Sequence, residues 1–190
     1  MSLTLPATIY TERLLLRSWK PSDARSLKSA IDANLQHLQA WMPWAMSEPS
    51  PIEEIVARIE KFAADFAAGV DWTYGIFSSN GDTVIGGSGA HPRIGSDGLE
   101  IGYWIGTAHT HQGYATEAAA AITRAAFTQP TIQQIQIRCD TNNVASAAIP
   151  RRLGYHHIET LVTDATTPAG APRDTMVWQL TRTEFESQGV

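Results

Sequence analysis

The segment HTHQGYATEA, His109 to Ala118, combines residue types with two different uses. His109 and His111 stand two apart, a spacing from which two imidazoles can close on one metal ion. Gly113 and Ala115 follow with little or no side chain, and TEAAAAITRAAFTQ then reads as a helix. A helix N-terminus exposes unpaired N–H groups and carries partial positive charge. A tight loop ahead of it gathers amides around an anion such as a pyrophosphate. His111, Gln112, Gly113, Tyr114, Ala115 and Thr116 supply those amides here, and Thr116 adds a hydroxyl. The plain alternative is a strand-to-helix turn whose small residues serve packing. The local pattern does not separate the two.

A metal site needs more ligands than this segment offers. His91 lies apart, and His156 and His157 are adjacent, so on a strand they face opposite ways. There is no HExxH and no second cysteine beside Cys139, so no metal is expected. The GxxxxGK[ST] loop is also missing, which argues against a nucleoside-triphosphate site. GGSGAHP, Gly86 to Pro92, is glycine-rich but precedes no helix, and reads as strand kinks or bulges beside a ligand. IQIRCD reads as a buried strand in which Cys139 is a small hydrophobe.

The elements that must position the loop follow from periodicity. RLLLRSW, Arg13 to Trp19, is a strand, and Pro21, Ser22 and Asp23 open a helix that runs to about Asp32. NLQHLQAWMPWA places Leu35, Leu38, Trp41 and Met42 at helical spacing before Pro43. IEEIVARIEKFAADFAAG is an amphipathic helix with a glycine stop. DWTYGIFSS and TVIGGSGAHP flank Asn80-Gly81, a strong hairpin signal. GLEIGYWIG is the third strand of that meander. The alanine-rich helix, the strand TIQQIQIRCD and the short helix NVASAAIPRRLGY follow. HHIETLV and DTMVWQL form a final antiparallel pair around the loop TTPAGAP.

This order describes an α/β fold: a mixed, mostly antiparallel twisted sheet of about seven strands with N-terminal helices. One strand–helix–strand unit joins GLEIGYWIG to TIQQIQIRCD, which makes those strands parallel with a right-handed crossover. Ligands of open α/β sheets favour the carboxyl ends of such strands, and HTHQGYATEA occupies that place.

The length of 190 residues suits one domain, 1–190, with a core from about 11 to 182. A net charge of −5 lacks the basic footprint of a nucleic-acid binder. One cysteine excludes an internal disulfide and suits a reducing cytoplasm. No run approaches the roughly 18 apolar residues of a membrane span. MSLTLPATIYTERL lacks the basic start and apolar run of a signal peptide.

Four segments, in this order and at these intervals, carry a family likeness: TERLLLRSW, LEIGYWIG, THQGYATEA and NNVASAAIPRRLGY. From about Thr11 to Leu180 the chain resembles the GNAT superfamily of acyl-CoA-dependent N-acetyltransferases, in its RimJ/RimL-type branch. THQGYATEA resembles the Q/R-x-x-G-x-G/A pyrophosphate loop, with Thr110 where the motif has Gln or Arg. Backbone amides do most of the work in that loop, which tolerates the change. NNVASAAIPRRLGY resembles the N-x-x-S…LGF signature, with Pro150 inside the helix. Proline there removes an N–H and frees the carbonyl of Ser146, so the helix is expected to be kinked or short.

The resemblance implies acetyl-CoA as cosubstrate, no metal, and direct acetyl transfer to a primary amine: a protein N-terminus, an amino acid or a small amine. It implies that His111, Gln112, Gly113, Tyr114, Ala115 and Thr116 hold the pyrophosphate. Tyr103, Trp104 and Ile105 would flank the pantetheine arm on one side and Asn143 on the other. A backbone N–H near Trp104 is then the candidate donor to the thioester oxygen. Glu100 is the candidate base, acting through water; a solvent-facing strand position or a salt bridge is its plain role. Ser146, with Tyr155 behind it, is the candidate to protonate the sulfur; a helix-start hydroxyl is its plain role. Asn143 suits a helix cap equally well. Asp164 and Glu159 are further carboxylates that could reach the amine. Trp41 and Trp44 of WMPW read as an aromatic wall for the acceptor or as core, with Trp72, Tyr74 and His91 as further lining. Two rival readings stand beside this one. A different donor such as succinyl-CoA would call for a basic residue, with Arg93 and Arg124 as candidates. A non-catalytic acyl-CoA-binding module would lack the acid–base groups. No nucleic acid or membrane partner is expected, and the resemblance admits a homodimer.

Overall fold

A computed structural model describes residues 3–167 and 170–189. The chain runs β1 (Thr8–Tyr10), β2 (Leu14–Ser18), α1 (Ala24–Ala33), α2 (Leu35–Trp41), α3 (Ile52–Ala68), then the meander β3 (Trp72–Ser78), β4 (Val84–His91) and β5 (Gly98–Ile105). It continues through α4 (Tyr114–Phe127), β6 (Gln134–Asp140), α5 (Val144–Arg152), β7 (His156–Thr166), β8 (Pro172–Thr181) and α6 (Arg182–Ser187). The eight strands form one sheet in the order β1-β2-β3-β4-β5-β6-β8-β7. The strand beyond the seven expected is β1. Its three residues, TIY, are too short to show a period, and it sits at the edge against β2.

The pair β5–β6 is parallel, and α4 makes the crossover that such a pair requires. Its pairing runs only from Gly98↔Gln134 to Ile101↔Ile137, so the two strands part beyond Ile101. Every other pair in the sheet is antiparallel.

Two apolar clusters hold the layers together. Ala118, Ile122 and Ala126 of α4 pack with Leu99 and Ile101 of β5 and with Ile135 and Ile137 of β6. Leu27 and Ile31 of α1, Leu38 of α2 and Ile55 and Ile59 of α3 pack with Trp19 and Phe77. The sheet is thus covered on both faces where the helices lie. Along β5, alternation places Glu100, Gly102 and Trp104 on one face and Leu99, Ile101 and Tyr103 on the other.

Candidate active site

Among the described residues, the loop before α4 leaves a run of backbone amides without acceptors. A single 3-10 turn, Thr107–His109, leads into it. His111 at φ 59° and Gly113 at φ 82° are both left-handed, and the helix starts one residue later. Among the described residues no acceptor meets the backbone N–H of any residue from His111 to Thr116. Successive free amides in such a turn form a concave nest for an anion, and the dipole of the 14-residue helix adds to it.

Arg13 braces this loop from 100 residues away in sequence. Its Nη1 donates to Gln112 O at 2.8 Å and its Nε to Glu117 Oε2 at 2.7 Å. Its guanidinium also lies 4.8 Å over the Tyr114 ring. Thr11 Oγ1 and the Arg13 N–H both donate to Glu117 Oε1, at 2.6 and 3.0 Å. Burial works against ionising Glu117, but these bonds and the Arg13 charge outweigh it and hold its carboxyl below the ordinary range. Its negative charge is therefore matched at the loop's base. The sequence reading missed Arg13, because nothing local in TERLLLRSW signals a partner so far along the chain.

The histidines weighed as metal ligands take separate places. The His109 ring lies 6.5 Å from that of Tyr114. His156 lies 3.5 Å from Glu184, and His157 lies 3.0 Å from the Thr160 hydroxyl. Among the described residues no group of three or more His, Cys, Asp or Glu side chains could hold a metal ion.

The parting of β5 and β6 opens onto a cavity of about 770 Å³. Its backbone edge follows from the register. The Gly106 N–H donates to Ile85 O at 2.9 Å, which makes that pair a hydrogen-bonded one. Such pairs alternate in an antiparallel ladder, so Trp104, Gly102 and Glu100 also turn their backbone groups toward β4. The N–H and C=O of Tyr103 and Ile105 point the other way, into the gap beside β6. The donor expected near Trp104 is thus the N–H of its neighbour Tyr103.

On the gap's far side Asn143 caps α5, its Oδ1 accepting from the Ser146 N–H at 3.0 Å. Pro150 sits inside α5 without ending it. The Ser146 carbonyl that it frees is taken by the Tyr103 hydroxyl at 3.2 Å. The Ser146 Oγ lies 3.2 Å from the same hydroxyl. Burial pushes the Tyr103 phenol well above its ordinary range, so it stays protonated as a donor. Cys139 lines the cavity too, and burial pushes its thiol up, which suits an unreactive packing role.

The floor carries the titratable groups. A Cβ built on Gly102 meets nothing within 4 Å, so open space stands above the point where the strands part. Glu100, two residues earlier on that face, lies 3.7 Å from both Arg93 and Arg138. His91 is the cross-strand neighbour of Glu100, and its Nδ1 is 2.8 Å from each oxygen of Asp71. Across the cavity Trp41 and Trp44 line the wall, with the Trp44 ring 6.3 Å from that of Trp104. Asp164 also lines it, and Arg58, Asp71, Arg138 and Arg173 add charges around it that the sequence reading did not single out.

Other expected residues stand in the core, at the cavity's edge or on the surface. Trp72 is buried in the core and absent from the cavity wall. Tyr74 borders the cavity, but its side chain is fully buried and its hydroxyl donates to Pro6 O at 2.9 Å. Both lie on a strand covered on its two faces, where an aromatic side chain signals core as readily as pocket. Tyr155 is buried as well, 2.7 Å from the Thr123 hydroxyl, so it cannot serve the sulfur. Arg124 and Glu159 are exposed and do not line the cavity.

These features agree with what the chain is similar to. The domain model for the acetyltransferase (GNAT) domain matches residues 13–156. A Bacillus licheniformis protein described as "Uncharacterized N-acetyltransferase p20" is 26% identical over 180 residues, 94% of this chain and 98% of that protein. The RimL ribosomal L7/L12 α-N-protein acetyltransferase in complex with coenzyme A superposes with a TM-score of 0.83 at 21% identity, covering 92% of this chain and 97% of that one. The microcin C7 self-immunity acetyltransferase MccE, in complex with acetyl-CoA and AMP, gives 0.84 at 21% identity, covering 95% and 98%. With its parted β5 and β6, its amide cradle and this match over most of its length, the chain belongs to the GNAT acetyltransferase family and is an acyltransferase.

Proposed function

We propose that the chain transfers an acetyl group from acetyl-CoA directly to a primary amine. One observation carries this reading: the free amides from His111 to Thr116 sit at the carboxyl end of β5, where β5 leaves β6 and the gap opens onto the cavity. Acetyl-CoA supplies the activated acyl thioester. The cradle amides suit its pyrophosphate, and Tyr103 and Ile105 offer unpaired backbone groups to the pantetheine arm, with Asn143 opposite. The Tyr103 N–H is placed to take up negative charge on the thioester oxygen. Ser146 and Tyr103 offer hydroxyls to the departing sulfur. Glu100 draws the ammonium to the floor, and Trp41 and Trp44 shelter its chain.

The acceptor class is a protein N-terminus, an amino acid or a small amine. The name of RimL, an α-N-protein acetyltransferase, supports including peptides. Succinyl-CoA is the second donor reading, favoured by Arg138 and Arg173 on the cavity wall. Release of free thiol from each donor, measured against amines, amino acids and N-terminal peptides, tests both. Turnover with acetyl-CoA and at least one amine is expected. Preference for succinyl-CoA would replace the donor. Coenzyme A binding without turnover in any arm would overturn the proposal in favour of a binding module.

Arg13→Ala should loosen the cradle without touching the cavity. Charge-assisted hydrogen bonds contribute about 1.5–3 kcal/mol each, and losing part of that at the loop weakens coenzyme A binding by roughly tenfold. Calorimetry with coenzyme A checks this. An unchanged dissociation constant would mean that the brace does not shape the cradle.

A further inference from the structure

We infer that His91, held by Asp71, is the group that takes the proton from the incoming ammonium. The inference rests on the acetyl-transfer reading and adds the base to it. An ionised carboxylate only accepts hydrogen bonds, so the 2.8 Å contacts to both Asp71 oxygens require Nδ1 to carry the hydrogen. In the neutral ring Nε2 is then the bare, basic nitrogen. Asp71 is itself steadied by the Thr73 hydroxyl at 3.3 Å. A base fixed by a carboxylate behind it is the arrangement that catalytic imidazoles use.

The ring is also in the right place. The Nε2 lies 2.5 Å from where a Cβ on Gly89 would stand, so the absent side chain makes room for it. Gly89 is the cross-strand neighbour of Gly102, above which the cavity is open. The imidazole therefore borders the space where β5 and β6 part. Among the described residues Nε2 has no hydrogen-bond partner. The charged groups around the same cavity are Arg93 and Glu100 beside it, Arg138 and Asp140 on β6, Arg58 on α3, and Asp164 and Arg173 on the far strands. Glu100 is placed differently: two guanidinium groups, Arg93 and Arg138, lie 3.7 Å from its oxygens. That carboxylate attracts the ammonium, while His91 deprotonates it.

The step balances. An ammonium N–H bond breaks and its proton passes to Nε2, giving an imidazolium beside the Asp71 carboxylate. The freed lone pair forms the bond to the acyl carbon, and the C–S electron pair leaves with sulfur. The nitrogen's second proton reaches the sulfur through the Ser146 hydroxyl. The imidazolium returns its proton to water.

The test compares His91→Gln, Asp71→Asn and Glu100→Gln with the unmodified protein, using its best amine acceptor. General-base catalysis contributes about 100-fold or more. His91→Gln should therefore lose about 100-fold in kcat at pH 7 with coenzyme A affinity unchanged by calorimetry. The deficit should shrink below about tenfold above the acceptor amine's own pKa, where the amine arrives neutral. Glu100→Gln should act mainly on the acceptor KM. Independently of turnover, 15N spectra of labelled histidine should show His91 with Nδ1 protonated and Nε2 bare, a state that Asp71→Asn releases. A His91→Gln deficit that is absent, or constant with pH, would overturn the inference while leaving acetyl transfer standing. A protonated Nε2 would do the same. An unmodified protein silent with every amine would overturn the transfer reading, and the inference with it.

Discussion

Gly113→Glu is expected to remove coenzyme A binding at concentrations that saturate the unmodified protein. Three effects act together. Gly113 sits at φ 82°, where an L side chain is strained by about 1–3 kcal/mol. A Cβ there would stand 3.4 Å from Arg13 Nη2, so the longer side chain crowds the brace. The carboxylate would also lie beside the free amides from His111 to Thr116 and compete for them from within the chain. Strain alone costs roughly tenfold in affinity, and Gly113→Ala measures that share. The added charge should bring the loss in Gly113→Glu to about 100-fold or more, about 2.7 kcal/mol. Calorimetry with coenzyme A separates the two variants. Equal affinity in Gly113→Glu and the unmodified protein would overturn the assignment of this loop to the pyrophosphate.

The loop was legible because its signal is local. Gly113 and Ala115, the helix after them and the strand before them lie within one stretch of chain. The same holds for Asn143 and Ser146, whose cap and hydroxyl belong to one turn of α5. What escaped the sequence were partnerships across distance. Glu117 meets Thr11 and Arg13 more than 100 residues away, and His91 meets Asp71 across a hairpin. Trp72 reads as cavity lining for another reason, although it lies in the core. Strand β3 lies inside the sheet and is buried on both faces, so no alternation tells pocket from core. The glycines of GGSGAHP suit strand kinks or bulges beside a ligand, and β4 is bulged beside Gly86. Gly87 leaves room for the Trp104 indole and Gly89 for the His91 ring. The freed Ser146 carbonyl followed from Pro150, but its acceptance of the Tyr103 hydroxyl depended on β5 lying alongside α5.

Gly86→Ala should be the most damaging conservative change in the sheet. Its strand is bulged there: Ile76 pairs with Gly86 and Phe77 with Val84, so Ile85 is the extra residue. A Cβ on Gly86 would lie 2.0 Å from Trp104 O, a backbone atom that no rotamer change can move. Either β4 or β5 must shift to admit one methyl group. Overpacking that displaces backbone costs about 3 kcal/mol. At about 2–4 °C per kcal/mol for a domain of this size, Tm should fall by about 6–12 °C. Gly102→Ala is the control, because its Cβ meets nothing within 4 Å and its φ is not left-handed. That variant should keep its Tm within about 4 °C, since Gly→Ala at an unstrained site changes stability by only about 0.4–1 kcal/mol. The contrast carries a functional consequence. The shift forced by Gly86→Ala moves the segment of β5 that turns Tyr103 and Ile105 toward the gap, so the folded fraction of that variant should also bind coenzyme A more weakly. A Tm equal to that of the unmodified protein would mean that β4 and β5 do not pair in this register, and the backbone assignment at the gap would fall with it.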